Sequence, residues 1–114
     1  MDKEGNIWFG QYGQVGKLTK VDYRTGKMTE YPTPTKYSGV YSVDTDRTNH
    51  IIWFNEMMGN NIGRFDPRTG TFVEYPIPSP LTSTRRIEVD QNRPTRVFYG
   101  AMHADKVGFL DVPR

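Results

Sequence analysis

The chain has 114 residues, no cysteine and a formal charge of +2 from 15 basic and 13 acidic side chains. The absence of cysteine excludes disulfide scaffolds, thiolate metal centres and thiol nucleophiles. The evenly mixed charges carry no clustered basic face for nucleic acid, and no apolar run is long enough for a membrane-spanning helix. No apolar N-terminal segment reads as a signal peptide, and the compartment stays open. Leu and Ala together supply five residues, whereas Val, Ile, Thr, Phe, Tyr and Trp supply 42. That balance disfavours helical and α/β folds and suits pleated, half-buried strands.

In chain order, alternation and turn residues predict a first group of strands over Asn6 to Gln11, Val15 to Asp22 and Lys27 to Pro32. A second group covers Val40 to Asp44, Ile51 to Glu56, Asn61 to Asp66 and Thr71 to Pro76. A third covers Arg85 to Asp90, Arg96 to Gly100 and Lys106 to Asp111. Asp66-Pro67-Arg68-Thr69-Gly70 reads as a turn: Pro suits the second position of a type I turn, and Gly takes the left-handed position after it. Ile51-Ile52-Trp53-Phe54 is apolar on both faces, as expected of a strand in a sheet packed between two others.

The groups repeat one another. Gly5-Asn6-Ile7-Trp8-Phe9 returns as His50-Ile51-Ile52-Trp53-Phe54 and again as Arg96-Val97-Phe98-Tyr99. Val15-Gly16-Lys17-Leu18 returns as Ile62-Gly63-Arg64-Phe65 and as Val107-Gly108-Phe109-Leu110. Asp22-Tyr23-Arg24-Thr25-Gly26 returns as Asp66-Pro67-Arg68-Thr69-Gly70, and Glu30-Tyr31-Pro32-Thr33-Pro34 as Glu74-Tyr75-Pro76-Ile77-Pro78. The offsets, 44 to 47 residues, match one four-stranded propeller blade. The expected fold is all-β: a partial β-propeller of about two and a half antiparallel blades, with strands grouped three, four and three. Residues 1–37 form a blade lacking its inner strand A, residues 38–82 a complete A-to-D blade, and residues 83–114 a blade lacking its outer strand D. Ten strands are too few to close a propeller, so the chain reads as the C-terminal portion of a longer protein.

Ile52-Trp53-Phe54-Asn55-Glu56, Gly59-Asn60-Asn61-Ile62-Gly63-Arg64-Phe65, Thr69-Gly70 and Glu74-Tyr75-Pro76-Ile77-Pro78 carry a resemblance to the streptogramin lyase (virginiamycin B lyase) family of propellers. They are similar to its W-F-x-E, G-N-x-I-G-R, T-G and E-Y-P-x-P elements. The resemblance implies an enzyme that opens cyclic streptogramin B antibiotics at the ester by elimination, with Mg²⁺ and a catalytic His. In that family the catalytic and metal-associated side chains sit near P-H-G-[IV] segments entering strand A. The corresponding segments here, Tyr37-Ser38-Gly39-Val40 and Thr84-Arg85-Arg86-Ile87, hold no His. A metal-proximal Glu expected in the last B–C loop falls near Met102 and His103. The chain itself is therefore expected to hold no cofactor; Mg²⁺ enters only if a full-length protein is a lyase.

Propeller geometry places the B–C and D–A loops on the face where ligands usually bind. That face collects the candidates Tyr12, Tyr37, Glu56, Arg85, Arg86 and His103. His103 is the one catalytic candidate, with Glu56 of the neighbouring loop as its partner for proton transfer; an exposed loop histidine without a role is the plainer reading. Glu56 alternatively bonds loop amides as a structural carboxylate. Arg85 and Arg86 would clamp an anion, but strand alternation sends their side chains opposite ways. No set of metal ligands is in register: Asp44-Thr45-Asp46 reads as an A–B turn with Asx-type bonds rather than a calcium loop. His50 lies on the opposite face as an exposed residue. Trp8 and Trp53 read as aromatics packed between blades.

Three functions fit these residues: a non-catalytic binding or scaffold portion of a lyase-like propeller, part of a Mg²⁺-dependent streptogramin B lyase-type enzyme completed by missing blades, or a repeat fragment without independent function. The expected partners are the remaining blades of a parent propeller, or further copies of the chain joined through open blade faces. Phe9, Val15, Val107 and Phe109 are the candidates for that open surface.

Overall fold

The computed structural model describes residues 1–11, 16–35, 39–77, 84–101 and 106–112. Every regular element among them is a strand: β1 (Ile7–Gln11), β2 (Lys17–Val21), β3 (Met28–Pro32), β4 (Val40–Asp46), β5 (Ile51–Glu56), β6 (Asn61–Asp66), β7 (Thr71–Pro76), β8 (Thr84–Val89), β9 (Arg96–Ala101) and β10 (Lys106–Asp111). They form three antiparallel sheets, β1-β2-β3, β4-β5-β6-β7 and β10-β9-β8. The three, four, three grouping read from the repeat is the observed one, and β5, β6 and β7 have the expected bounds. Inner strand β4 packs against β1 on one side and β8 on the other, so the sheets stand side by side as blades.

Local chemistry fixes the turns. Asp22 and Asp66 each accept a backbone N–H two residues on, from Arg24 and Arg68. Gly26 and Gly70 then donate back to the carbonyls of Asp22 and Asp66, both at 2.8 Å. Both glycines have φ above +70°, which a side chain would resist. Asp2, Asp46 and Asp90 play the same part at the A–B turns, where each Oδ1 accepts a backbone amide two residues on. The Asx reading of Asp46 therefore holds.

Two apolar clusters flank the middle blade. Ile52, Phe54 and Phe65 pack with Trp8, Leu18 and Val40 of the first boundary. Ile51, Trp53 and Ile62 pack with Ile77, Ile87, Val89 and Val97 of the second. This is why β5 alternates nothing: one set of its side chains faces each neighbour, and all six residues are buried. Each fully buried large apolar side chain contributes about 1.5–3 kcal/mol. The repeat reaches ring geometry as well: Trp8 stacks on Tyr31 at 5.7 Å and 24°, and Trp53 on Tyr75 at 6.1 Å and 29°.

Two expectations are corrected here. The repeat, which aligns Phe98 with Trp53, implies a residue of the inter-blade core there, yet Phe98 is 37% exposed, against 8% for Trp8 and 1% for Trp53. It occupies the position of Trp53, which faces the next blade in order, and the chain has no fourth blade to cover it. The second correction concerns register. Gly10 pairs with Leu18, and Asn55 pairs with Ile62, so Leu18 corresponds to Ile62 and Thr19 to Gly63. The Val15-Gly16-Lys17-Leu18 match is thus displaced by three residues in space. A Cβ on Gly63 would run into the Phe54 ring, and one on Gly108 would lie 2.6 Å from Tyr99 Cζ. These glycines are bare because a ring lies over them. Phe9 faces Thr19 instead and stands partly exposed, as does Phe109; Val15 lies outside the described residues, as does the side chain of Val107.

Candidate functional site

Of the six ligand-face candidates, Tyr12, Tyr37 and His103 lie outside the described residues, so the Glu56–His103 pair does too. Glu56 ends β5, paired with Val40 on one side and Asn61 on the other. It is completely buried. Its carboxylate is therefore closed to solvent at the end of β5. Arg85 lies in β8, and its side chain is outside the described set. Arg86 is exposed and shares a cleft between inner strands β4 and β8 with Ser42 and Glu88. Beside these, Met58 is exposed, and Met57 N–H donates to the Gly39 carbonyl at 3.0 Å.

The inner strands carry a polar row that the sequence did not announce. Ser42 Oγ accepts the Ile87 amide at 3.1 Å, and Asp44 Oδ2 accepts the Val89 amide at 2.7 Å. Gln91 Nε2 donates to the Thr45 carbonyl at 2.9 Å. Buried Asn55 accepts the Ser42 amide at 2.6 Å, where the β4–β5 register shifts between Val40 and Val43. The available signal was the spacing, since these partners lie one repeat apart.

The opposite face holds a group of titratable side chains among the described residues. Asp2 is buried; its Oδ2 accepts the Trp8 indole N–H at 2.6 Å, and its Oδ1 accepts the Glu4 and Asn6 amides. His50 Nε2 lies 3.4 Å from Glu4 Oε1 with its side chain only 12% exposed. The expectation of an exposed His50 is thus corrected: a left-handed backbone at φ 57° folds the ring back onto the first blade's turn. Ligand atoms of Asp2, Glu4 and His50 fall within 4.8 Å of one another. Asp2 is committed to three donors, however, and Lys3, Lys20 and Arg68 line the cleft that holds Glu4 and His50, which disfavours a cation.

Three turn carboxylates are held below the ordinary range. The Arg24 and Thr25 amides do this for Asp22. For Asp66, burial pushes upward but is outweighed by the Arg68 amide and guanidinium. For Asp111, the Arg96 hydrogen bond leads, against an opposing effect of burial and with help from the Arg93 charge.

The Mg²⁺ that the sequence resemblance implies would need several oxygen ligands converging on one point. The described residues of the ligand face offer the Glu56 carboxylate, buried in β5, and do not fit that ion.

No protein-family model and no curated protein matches the chain. Solved structures do. A streptogramin B lyase superposes with a TM-score of 0.78 at 23% identity, over 99% of this chain and 39% of that one. Selenomethionine-substituted virginiamycin B lyase from Staphylococcus aureus gives 0.68 at 20% identity, over 99% and 43%. A catalytically inactive variant of the Staphylococcus aureus enzyme, solved with quinupristin, gives 0.68 at 19%, over 100% and 44%. The chain therefore has the fold of part of a β-propeller of the kind seen in these lyases, and spans about two fifths of the length of the lyases it matches.

Proposed function

We propose that this chain is a binding or scaffold portion of a streptogramin-lyase-like β-propeller, without lyase chemistry of its own. The observation that carries this reading is the combination at the strand-A entrances. Val40 opens β4 and Thr84-Arg85-Arg86-Ile87 lies in β8, and neither of the two entrance segments, Tyr37-Ser38-Gly39-Val40 or Thr84-Arg85-Arg86-Ile87, contains His. The blade frame is retained while the group that would exchange protons is not. The partners in this reading are other blades of the same type, because the face of β5 that carries Ile52 and Phe54 is covered by Trp8 and Leu18, and its counterpart on β1 is open.

One observation favours a second reading, a Mg²⁺-dependent lyase-type enzyme completed by further blades: the matched solved structures are lyases. Incubation of quinupristin, with and without Mg²⁺, with the chain joined to the further blades of its parent propeller, followed by mass spectrometry, separates the two. The expected result is an intact ring. A linear product formed at a rate proportional to protein overturns the scaffold reading.

A further inference from the structure

The two tryptophans occupy equivalent positions, but their indole N–H groups do not. Trp8 Nε1 donates to Asp2 Oδ2 at 2.6 Å. Trp53 Nε1 is buried and has no acceptor among the described residues, on a side chain that is 1% exposed. The cause is a turn one residue longer. Asp2 precedes Trp8 by six residues, and its counterpart Asp46 precedes Trp53 by seven. The longer turn admits Asn49, whose Nδ2 donates to Asp46 Oδ2 at 2.8 Å. Asn49 thus takes the oxygen that its counterpart offers to Trp8, and the Trp53 N–H is left over. A buried donor without a partner is costly.

Trp53, Asp46 and Asn49 line one cleft of about 410 Å³ between the second and third blades. That volume is typical of small-molecule sites. Arg64 and Arg68 stand on the same wall, with Tyr75 and Val112 supplying apolar surface. Arg68 bonds Asp66 at 3.3 Å, whereas Arg64 forms no ion pair among the described residues. The Asp46 carboxylate is already met by the Thr48 and Asn49 amides and the Asn49 side chain, and Asp66 answers Arg68, so Arg64 is the guanidinium of this wall left to take an added negative charge.

We propose that this cleft binds a small carboxylate with an apolar body. One carboxylate oxygen accepts the Trp53 N–H, as Asp2 does for Trp8, while the Arg64 guanidinium fork takes the charge. The apolar body lies on Tyr75 and Val112. Because the N–H is closed to solvent, binding requires the wall to give way to an oxygen, and the indole proton reports that event directly.

The test uses the two indole N–H resonances of the ¹⁵N-labelled chain, assigned with Trp8→Phe. Benzoate is titrated at constant ionic strength, with benzamide as the uncharged isostere. The expected result is a saturable shift of the Trp53 resonance with benzoate alone and a still Trp8 resonance. Arg64→Gln weakens the response roughly tenfold or more, as loss of a charge-assisted bond does. Asn49→Ala returns Asp46 Oδ2 to Trp53, moving its resonance without ligand and abolishing the benzoate response. The proposal is overturned by a Trp53 resonance that ignores benzoate, by an equal response to benzamide, or by a benzoate response unchanged in Asn49→Ala.

Discussion

Asp44 Oδ2 accepts the backbone N–H of Val89 at 2.7 Å, so a side chain of one inner strand closes a backbone bond of the next. Ser42 does the same for Ile87. Strand β8 pairs with β9 on one side only, and its other edge would otherwise present free amides. The blade boundary is therefore tied at its inner rim by polar bonds and filled behind by apolar packing.

Removing that tie measures it. Asp44→Ala should cost about 1.5–3 kcal/mol, the range for hydrogen bonds to charged groups, and Asp44→Asn should recover much of it by keeping an acceptor. Urea titration of the three proteins checks this. An alanine variant as stable as the parent would show that the bond carries nothing.

The tryptophans give a matched pair. Trp8→Phe and Trp53→Phe delete the same atoms, but only the first leaves a buried carboxylate short of a donor. Trp8→Phe should therefore be the more destabilising, by about 1.5–3 kcal/mol. Full truncation, Trp53→Ala, should cost about 3–5 kcal/mol as a large-to-small core change. Denaturant midpoints of the three variants decide both points.

Gly63→Ala should destabilise by about 1–3 kcal/mol through overpacking, because the new methyl meets the Phe54 ring. Combining it with Phe54→Leu should relieve part of the loss. Strictly additive losses would mean that the ring and the methyl do not meet.

Acid should weaken the turns. The depressed carboxyls of Asp22, Asp66 and Asp111 bind protons more readily in the unfolded chain. Their stabilisation is complete above the unfolded value of about 3.9 and is lost as pH falls through the lower folded values. The double variant Asp22→Asn, Asp66→Asn should melt below the parent at neutral pH, and the gap should close in strong acid. A gap that persists unchanged in strong acid would exclude this origin.

The blade was legible in the sequence because its determinants are local. Asp-x-x-Thr-Gly sets the turn before Thr71, and the turn sets the register of β6 and β7. What the sequence hid depends on neighbours. Val15-Gly16-Lys17-Leu18 mimics Ile62-Gly63-Arg64-Phe65 in letters, but distance from Asp22, not composition, fixes which residue faces Phe9. Phe98 has core chemistry and lacks only a covering blade. His50 turns inward because of its own left-handed backbone. Of the candidate site, the burial of Glu56 was the least readable, since a carboxylate at a strand end ordinarily seeks water.

Open faces should show in solution. Ile7, Phe9 and Met28 on the first blade and Phe98 and Phe109 on the third are exposed, and contiguous apolar surface of this kind drives association. Light scattering across a concentration series should show growth of apparent mass. A monodisperse monomer at high concentration, melting cooperatively, would show that these faces are tolerated by water.

The two clusters beside β5 constrain the symmetry of any assembly. Ile52 and Phe54 look one way, Ile51 and Trp53 the other, so a blade has a front and a back that are different surfaces. Copies that join front to back cannot form a two-fold dimer through one shared patch. They form a heterologous contact, which generates a ring where the rotation per copy divides the circle and an open filament where it does not.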